Sequence, residues 1–222
     1  MAVIKSESFS RIAYNYLLNA IFDQTVEPGQ LLNRHDIAKK LGISVAPVLE
    51  AMVMLENEGF VESIPRKGTQ VRIIRDTDVT GYLFVRAALE CMAVRFYCGG
   101  LISRELNRFL PMAERLDDLS SLDSQECIKI DWELHKELIA LCRIDVLDKE
   151  YNRTCTMGHF FRLNRLVDHI GRRVQNQHTD LIRSLCDATP DTAQKIMYDH
   201  VWSGRARRFM YTGPDGTSGN AV

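Results

Sequence analysis

Asp131 and His135 stand four residues apart in the stretch Ile130-Asp131-Trp132-Glu133-Leu134-His135. That spacing puts a carboxylate and an imidazole on one face of a helix. His178 and His200 follow in two later stretches, each of which also has helical patterning. If an antiparallel bundle brings these helices to one interior point, the two imidazoles can complete a shell around a divalent ion with Asp131 and His135. Three imidazoles and one carboxylate suit Zn²⁺ or Ni²⁺ better than Mg²⁺ or Ca²⁺, which prefer all-oxygen shells. A lone helical histidine is more often a surface or satisfied core residue, and as metal ligands His35, His159 and His169 stay in that ordinary class.

An ion held in this way admits three uses. It can lower the pKa of a bound water and serve a hydrolase or oxygenase. It can itself be the signal in a metal sensor. It can also bind the carboxylate of a small organic acid at open coordination positions and so form part of a receptor. For catalysis the chain offers no general base paired with the constellation, since Glu133 falls off the Asp131/His135 face. It also has no phosphate loop, dinucleotide fingerprint or Ser or Cys nucleophile motif. The sequence therefore favours a sensor over an enzyme.

The elements that must position these residues are helical. Arg75-Asp76-Thr77-Asp78 reads as a polar joint, and from there to Tyr211 the pattern predicts helices with short breaks. Expected helices cover 80–97, 103–116, 125–141 (with the Asp-x-x-x-His pair), and about 147–174 as one long or broken element. His178 falls early in a helix that ends near Cys186. Thr189-Pro190 offers a capping hydroxyl and a first-turn proline for a last helix carrying Ala193, Ile196, Met197 and His200. The predicted organisation is a domain over 1–75, an all-helical antiparallel bundle over 76–211, and a Gly- and Ser-rich tail over 212–222.

The first 75 residues carry a different pattern. Ser10 to Gln24 predicts a helix with Ile12, Tyr16 or Leu17, Ala20 and Ile21 inward, ended by Glu27-Pro28-Gly29. Asn33 can cap a short second helix running to Leu41. Gly42-Ile43-Ser44 is a tight turn in which Ser44 can cap a third helix running to about Glu58, with Val48, Met52 and Leu55 inward and Pro47 in its first turn. Residues 60–64 and 69–74 then form a hairpin around Pro65-Arg66-Lys67-Gly68. This is the order of a winged helix-turn-helix, in which the third helix enters the major groove and the wing lies on the backbone.

These residues resemble a known family. Val26-Glu27-Pro28-Gly29-Gln30-Leu31-Leu32, Asp36-Ile37-Ala38-Lys39-Lys40-Leu41-Gly42-Ile43-Ser44, Pro47-Val48 and Leu55-Glu56-Asn57-Glu58-Gly59-Phe60-Val61 are similar to the DNA-binding domain of GntR-family bacterial transcription regulators. On that resemblance Arg34, His35, Ser44, Val45, Pro47, Arg66, Lys67 and Gly68 face DNA. Val45 and Leu49 stand where the family usually has arginines. Neither can form the bidentate contacts that contribute about 1–3 kcal/mol of base discrimination, although both can touch a thymine methyl. The consequence is either an A·T-leaning operator or weak binding that relies on dimerisation and on a second regulatory input.

The second region resembles the metal-containing branch of the FCD ligand-binding domain of FadR-like members. The matching residues are Tyr82-Leu83-Phe84-Val85-Arg86-Ala87-Ala88-Leu89-Glu90, Asp131-x-x-x-His135, His178-x-x-Leu181-Ile182 and Ala193-x-x-x-Met197-x-x-His200. The resemblance implies Asp131, His135, His178 and His200 as metal ligands. It also implies Arg86 as the clamp on an anionic effector. An ion pair of Arg86 with Glu90, one turn on, is the equally simple alternative. Cys142-Arg143-Ile144-Asp145 departs from the relatives, which usually have a small residue and Asn there.

Composition is that of an ordinary soluble globular protein and excludes other classes. The chain has 222 residues, with 45% hydrophobic and 26% charged, which excludes disordered and fibrous classes. No apolar run reaches the length of a signal peptide or a membrane span, so a cytoplasmic protein is expected. The six cysteines are scattered, which predicts reduced thiols. Residues 1–75 hold nine basic and eight acidic side chains, so no strongly basic domain marks the nucleic-acid partner. The expected assembly is a homodimer on a double-stranded, pseudo-palindromic operator.

Overall fold

A computed structural model of the chain describes residues 7–118, 124–165 and 178–202. Its order is α1 (Phe9–Phe22), α2 (Arg34–Leu41), α3 (Val45–Glu58), β1 (Val61–Ile64), β2 (Gly68–Val71), α4 (Asp76–Tyr97), α5 (Gly100–Arg104), α6 (Leu106–Asp117), α7 (Ser124–Ala140), α8 (Asp145–Arg165), α9 (His178–Asp187) and α10 (Pro190–Trp202). The fold is mainly helical, with a winged helix-turn-helix followed by a helical domain. Among the described residues, 7–75 with Phe160–Arg165 form one compact unit, and Asp76–His159 with 178–202 form the other.

In the first unit the turn chemistry places the elements. Asn33 accepts from the backbone N–H of His35 and Asp36 at the start of α2, and Gly42 ends α2 in the left-handed conformation at φ 66°. Gly59 ends α3 in the same way. Helices α1 and α3 pack on each other through Ala13, Leu17, Ile21, Val48, Ala51, Met52 and Leu55. Leu17, Ala20 and Ile21 of α1 are buried as predicted, while in the first turn Ala13 and Tyr14 are buried and Ile12 is exposed; the Tyr14 hydroxyl donates a 2.6 Å hydrogen bond to Glu58.

Strands β1 and β2 pair antiparallel with Val61 opposite Val71 and Ile64 opposite Gly68. Residues 72–74, expected in the second strand, lie outside it. The segment before α2 lines the other edge, with the N–H of Leu32 donating to Thr69 and that of Val71 to Gln30.

In the second unit α10 packs along α4 and α9 along α6. Tyr97, Phe109, Leu134, Leu138, Ile139, Tyr151, Ile182, Leu185 and Met197 fill the centre. Two boundaries differ from expectation. Helix α4 begins inside the supposed polar joint, and the stretch expected as one helix over 103–116 is split at Glu105 into α5 and α6. The predicted end of the long helix to 174, His169 and the tail over 212–222 lie outside the described residues. On α8, Gly158 leaves the space that the ring of Tyr82 occupies, so closely that a Cβ would collide with that ring.

Candidate metal centre and nucleic-acid interface

Four residues from three helices meet inside the second unit. Asp131 and His135 share one face of α7, His178 opens α9, and His200 lies in the last turn of α10. His135 and His178 are buried, and the Asp131 carboxylate is 13% exposed. The ligand nitrogens of His135, His178 and His200 all lie within 4.8 Å of one another. Nε2 of His135 is 3.1 Å from Nε2 of His200, and Nε2 of His178 is 3.1 Å from Oδ1 of Asp131. Oδ1 of Asp131 is 3.7 Å from Nε2 of His135.

The donor set fits a divalent transition ion. Ligands about 2.1 Å from a shared ion stand roughly 3.0–3.4 Å apart at right-angle or tetrahedral positions; the two 3.1 Å spacings fall in that range and the 3.7 Å one lies just above it. Burial, reinforced by His135 and His178, lowers the pKa of His200 well below its ordinary value. A neutral imidazole is the form that ligates.

The opposite ring nitrogens are turned towards carboxylates, as in metal sites where an outer carboxylate fixes the histidine tautomer. Nδ1 of His135 is 3.0 Å from Oε2 of Glu90, although the approach is off the hydrogen-bond direction. Nδ1 of His178 is 3.5 Å from Oδ1 of Asp117.

Glu90 is the hub behind the cluster. Its Oε1 accepts from Nε of Arg86 at 2.5 Å and from the Tyr151 hydroxyl at 2.5 Å. Burial alone would raise its pKa, but the Arg86 charge, His135 and the Tyr151 hydrogen bond hold it well below the usual carboxylate range. Arg86 is itself buried. Desolvation works against its charge, yet Glu90 and Asp131 outweigh that and raise its pKa. The guanidinium thus forms the ion pair with Glu90, one of its two readings, through Nε while its Nη1 lies 3.8 Å from Oδ2 of Asp131, beside the histidines.

Asp117 does a second job that the sequence did not signal. At the end of α6 its two oxygens accept the N–H groups of His178 and Thr179, both at 2.9 Å, so it caps α9 from another helix. Burial opposes its charge, but the Thr179 hydroxyl and these two N–H groups lower its pKa. Asp117→Ala is expected to cost about 1–2 kcal/mol in urea unfolding, as loss of an N-cap does. It should also weaken metal binding about tenfold by freeing the first residue of α9. Metal titration of the variant checks the second effect.

The candidate DNA surface lies on α2, α3 and the wing. Arg34, His35, Ser44, Arg66, Lys67 and Gly68 are exposed, and Val45 and Pro47 are partly so. The Ser44 side chain makes no capping bond, contrary to expectation. Pro47 occupies the third position of α3 and lacks the N–H that a serine cap often takes. Helix α3 carries no Lys or Arg, and Leu49 and Val53 face solvent at 39% and 54% exposure.

Arg66 sits at φ 66° in the Ile64–Lys67 turn, which is closed by a 3.0 Å bond from the N–H of Lys67 to the carbonyl of Ile64. That position favours Gly. The strain of an Arg there, about 1–2 kcal/mol, is offset by the roughly 0.5–1 kcal/mol that Gly adds to the cost of folding. Arg66→Gly should therefore change stability by less than about 1 kcal/mol while weakening operator binding. Thermal melts beside a DNA titration check the two halves.

Two family models match this chain. Residues 9–71 match "Bacterial regulatory proteins, gntR family" and residues 82–202 match the FCD domain. The chain belongs to the GntR family and carries an FCD domain.

It is a transcription regulator of the FadR-like type. It is similar to the HTH-type transcriptional regulator YdhC of Bacillus subtilis, with 25% identity covering 84% of this chain and 85% of that one. It is also similar to the Nta operon transcriptional regulator of Aminobacter aminovorans, with 26% identity covering 78% and 82%. In fold it matches a GntR transcriptional regulator from Rhodococcus sp. RHA1, with TM-score 0.68 and 21% identity covering 90% of this chain and 97% of that one. It also matches E. coli McbR/YncC, with TM-score 0.66 and 16% identity covering 92% and 98%. These relatives are regulators rather than enzymes. Among the described residues no helix is long and apolar enough to cross a membrane.

Proposed function

We propose that this regulator binds a pseudo-palindromic operator as a homodimer, and that a small organic acid tunes its affinity at a Zn²⁺ or Ni²⁺ ion held by Asp131, His135, His178 and His200. The observation that supports this most is the convergence of three imidazole nitrogens and one carboxylate oxygen beside the buried Arg86. The ion supplies a Lewis-acidic seat for a carboxylate. Arg86, through the nitrogens that Glu90 leaves over, adds a second contact of matching charge.

The DNA contacts proposed are Arg34, His35, Ser44, Val45 and Pro47 from α2 and α3, with Arg66, Lys67 and Gly68 from the wing. With no basic residue on α3, sequence discrimination falls to apolar contacts with thymine methyls, and the wing and α2 hold the phosphates. An effector shifts operator affinity only through unequal affinity for the two arrangements of the dimer, typically by about 1–3 kcal/mol.

The test is elemental analysis of the purified protein, followed by a screen of small carboxylates for thermal stabilisation and operator release, each with and without chelator. A carboxylate that stabilises the protein only with metal present supports the reading. Absence of bound metal, or indifference of every carboxylate response to chelator, overturns it. The commitment of Arg86 to Glu90 favours one second reading, in which the ion alone is the signal. Operator binding that responds to metal but to no carboxylate would select that reading.

A further inference from the structure

Each of the three glutamates of α3 is taken by a neighbour inside its own unit. Glu50 accepts from the Ser10 hydroxyl, Glu56 from the N–H and hydroxyl of Ser63, and Glu58 from the Tyr14 hydroxyl. With these carboxylates engaged and no Lys or Arg in the helix, the line it shows to water is apolar. Ala46, Leu49 and Val53 are exposed and stand at i, i+3 and i+7, along one face. The line is about 10 Å long, roughly three base-pair steps.

The elements beside it are cationic. Arg34, Lys39 and Lys40 of α2 and Arg66 and Lys67 of the wing turn are all exposed, against the single carboxylate of α2, Asp36. Cations flanking an apolar centre suit a polyanion that carries apolar groups in its groove. An apolar protein helix would leave those cations without partners. In the major groove of DNA the apolar group is the C5-methyl of thymine. 5-Methylcytosine carries the same methyl on the same ring atom, whereas uracil and cytosine lack it.

We infer that Ala46, Leu49 and Val53 read the 5-methyl groups of operator pyrimidines, so that 5-methylcytosine stands in for thymine where they touch and operator affinity responds to cytosine methylation. This rests on the DNA surface proposed above and adds which groups are read there and by which side chains. Aliphatic side chains have no donor or acceptor, so they do not tell the O4 of thymine from the amino group of cytosine. They tell a methyl from its absence, because covering it removes apolar surface from water on both sides. Each covered methyl strengthens binding about fourfold. Leu49 has the longest side chain of the three and lies towards the N-terminal end of α3, the end that meets base edges in a helix-turn-helix.

The test starts from a duplex selected out of random sequences by the full-length protein at low salt. Within that duplex two comparisons differ by the methyl alone: thymine against uracil opposite adenine, and 5-methylcytosine against cytosine opposite guanine, placed position by position. Fluorescence anisotropy titrations use wild type, Leu49→Ala, Val53→Ala and Val146→Ala, with circular dichroism to confirm folding. Val146 is 70% exposed on α8, outside the DNA surface, and serves as the control.

Wild type is expected to lose about fourfold in affinity for each contacted methyl removed, at the same positions in both comparisons, and about fifteenfold when matching methyls leave both half-sites. In Leu49→Ala the loss at its own positions should shrink below about twofold, with the control keeping the full loss. The wild-type comparisons stand even if a variant fails to fold.

A duplex bound equally with and without its methyls overturns the inference and leaves operator binding intact. So does a methyl effect that both Leu49→Ala and Val53→Ala preserve, or one seen with thymine but not with 5-methylcytosine. A selection that yields no bound duplex strikes the proposed operator binding itself, and the inference falls with it.

Discussion

Replacing Glu90 by alanine is expected to cost about 3–5 kcal/mol of folding stability, the usual result of stripping one partner from a buried ion pair. The Arg86 guanidinium would be left with its charge desolvated and its Nε bond gone, and the Tyr151 hydroxyl would lose its 2.5 Å acceptor. Glu90→Gln keeps the shape and an acceptor oxygen but removes the charge, so its loss should be smaller though in the same direction. Urea unfolding at neutral pH measures both.

The pH dependence follows from the same pair. The folded-state pKa of Glu90 lies below its ordinary value of 4.5, so the folded protein releases this proton more readily than the unfolded chain. Its stabilisation is therefore complete above the ordinary carboxylate range and drains away as the pH falls through and below it. In Glu90→Gln that part of the acid sensitivity should disappear. A variant as stable as wild type at neutral pH would show that Glu90 is not the counter-charge of Arg86.

The second large effect concerns the ion itself. Free metal at about a thousand times its dissociation constant should add about 4 kcal/mol to the stability of wild type. In His135→Ala that increment should vanish, because His135 supplies the Nε2 that lies between those of His200 and the Asp131 oxygen. Thermal melts with Zn²⁺ or Ni²⁺, with and without chelator, measure the increment directly. A metal-dependent rise that survives in His135→Ala would remove this residue from the ligand set.

Acid should act in the same direction. The folded-state pKa of metal-free His200 lies below its ordinary 6.5, so the unfolded chain takes up this proton first. Stability from that source is present above about pH 6.5 and falls as the solution is acidified. Protonation also competes with any bound ion, so the metal increment itself should shrink over the same range.

Much of this arrangement was legible in the sequence because it is carried by local rules. Turn glycines at 42 and 59 sit in the left-handed conformation that ends α2 and α3, and the four-residue spacing of Asp131 and His135 survives unchanged inside α7. The convergence of His178 and His200 on that pair was legible as what an antiparallel bundle allows and what the resemblance implies, since no local pattern tells which helices of a bundle become neighbours.

What was missed depends on tertiary contact. Asp117 lies 61 residues before the N–H group of His178 that it receives, and Tyr151 reaches Glu90 across the same number of residues. In the first turn of α1, Tyr14 rather than Ile12 faces inward, where it finds Glu58 on α3.

The notch at Gly158 constrains how this sequence can drift. Because the Tyr82 ring fills the volume that a Cβ at 158 would need, a side chain at 158 can enter only if that ring turns aside or gives way to a smaller one. Tyr82 lies one turn before Arg86, so an enlargement at 158 would be felt at the guanidinium through the ring it displaces. Descendants of this gene that place a bulkier residue at 158 on α8 should therefore carry a smaller one at 82 on α4.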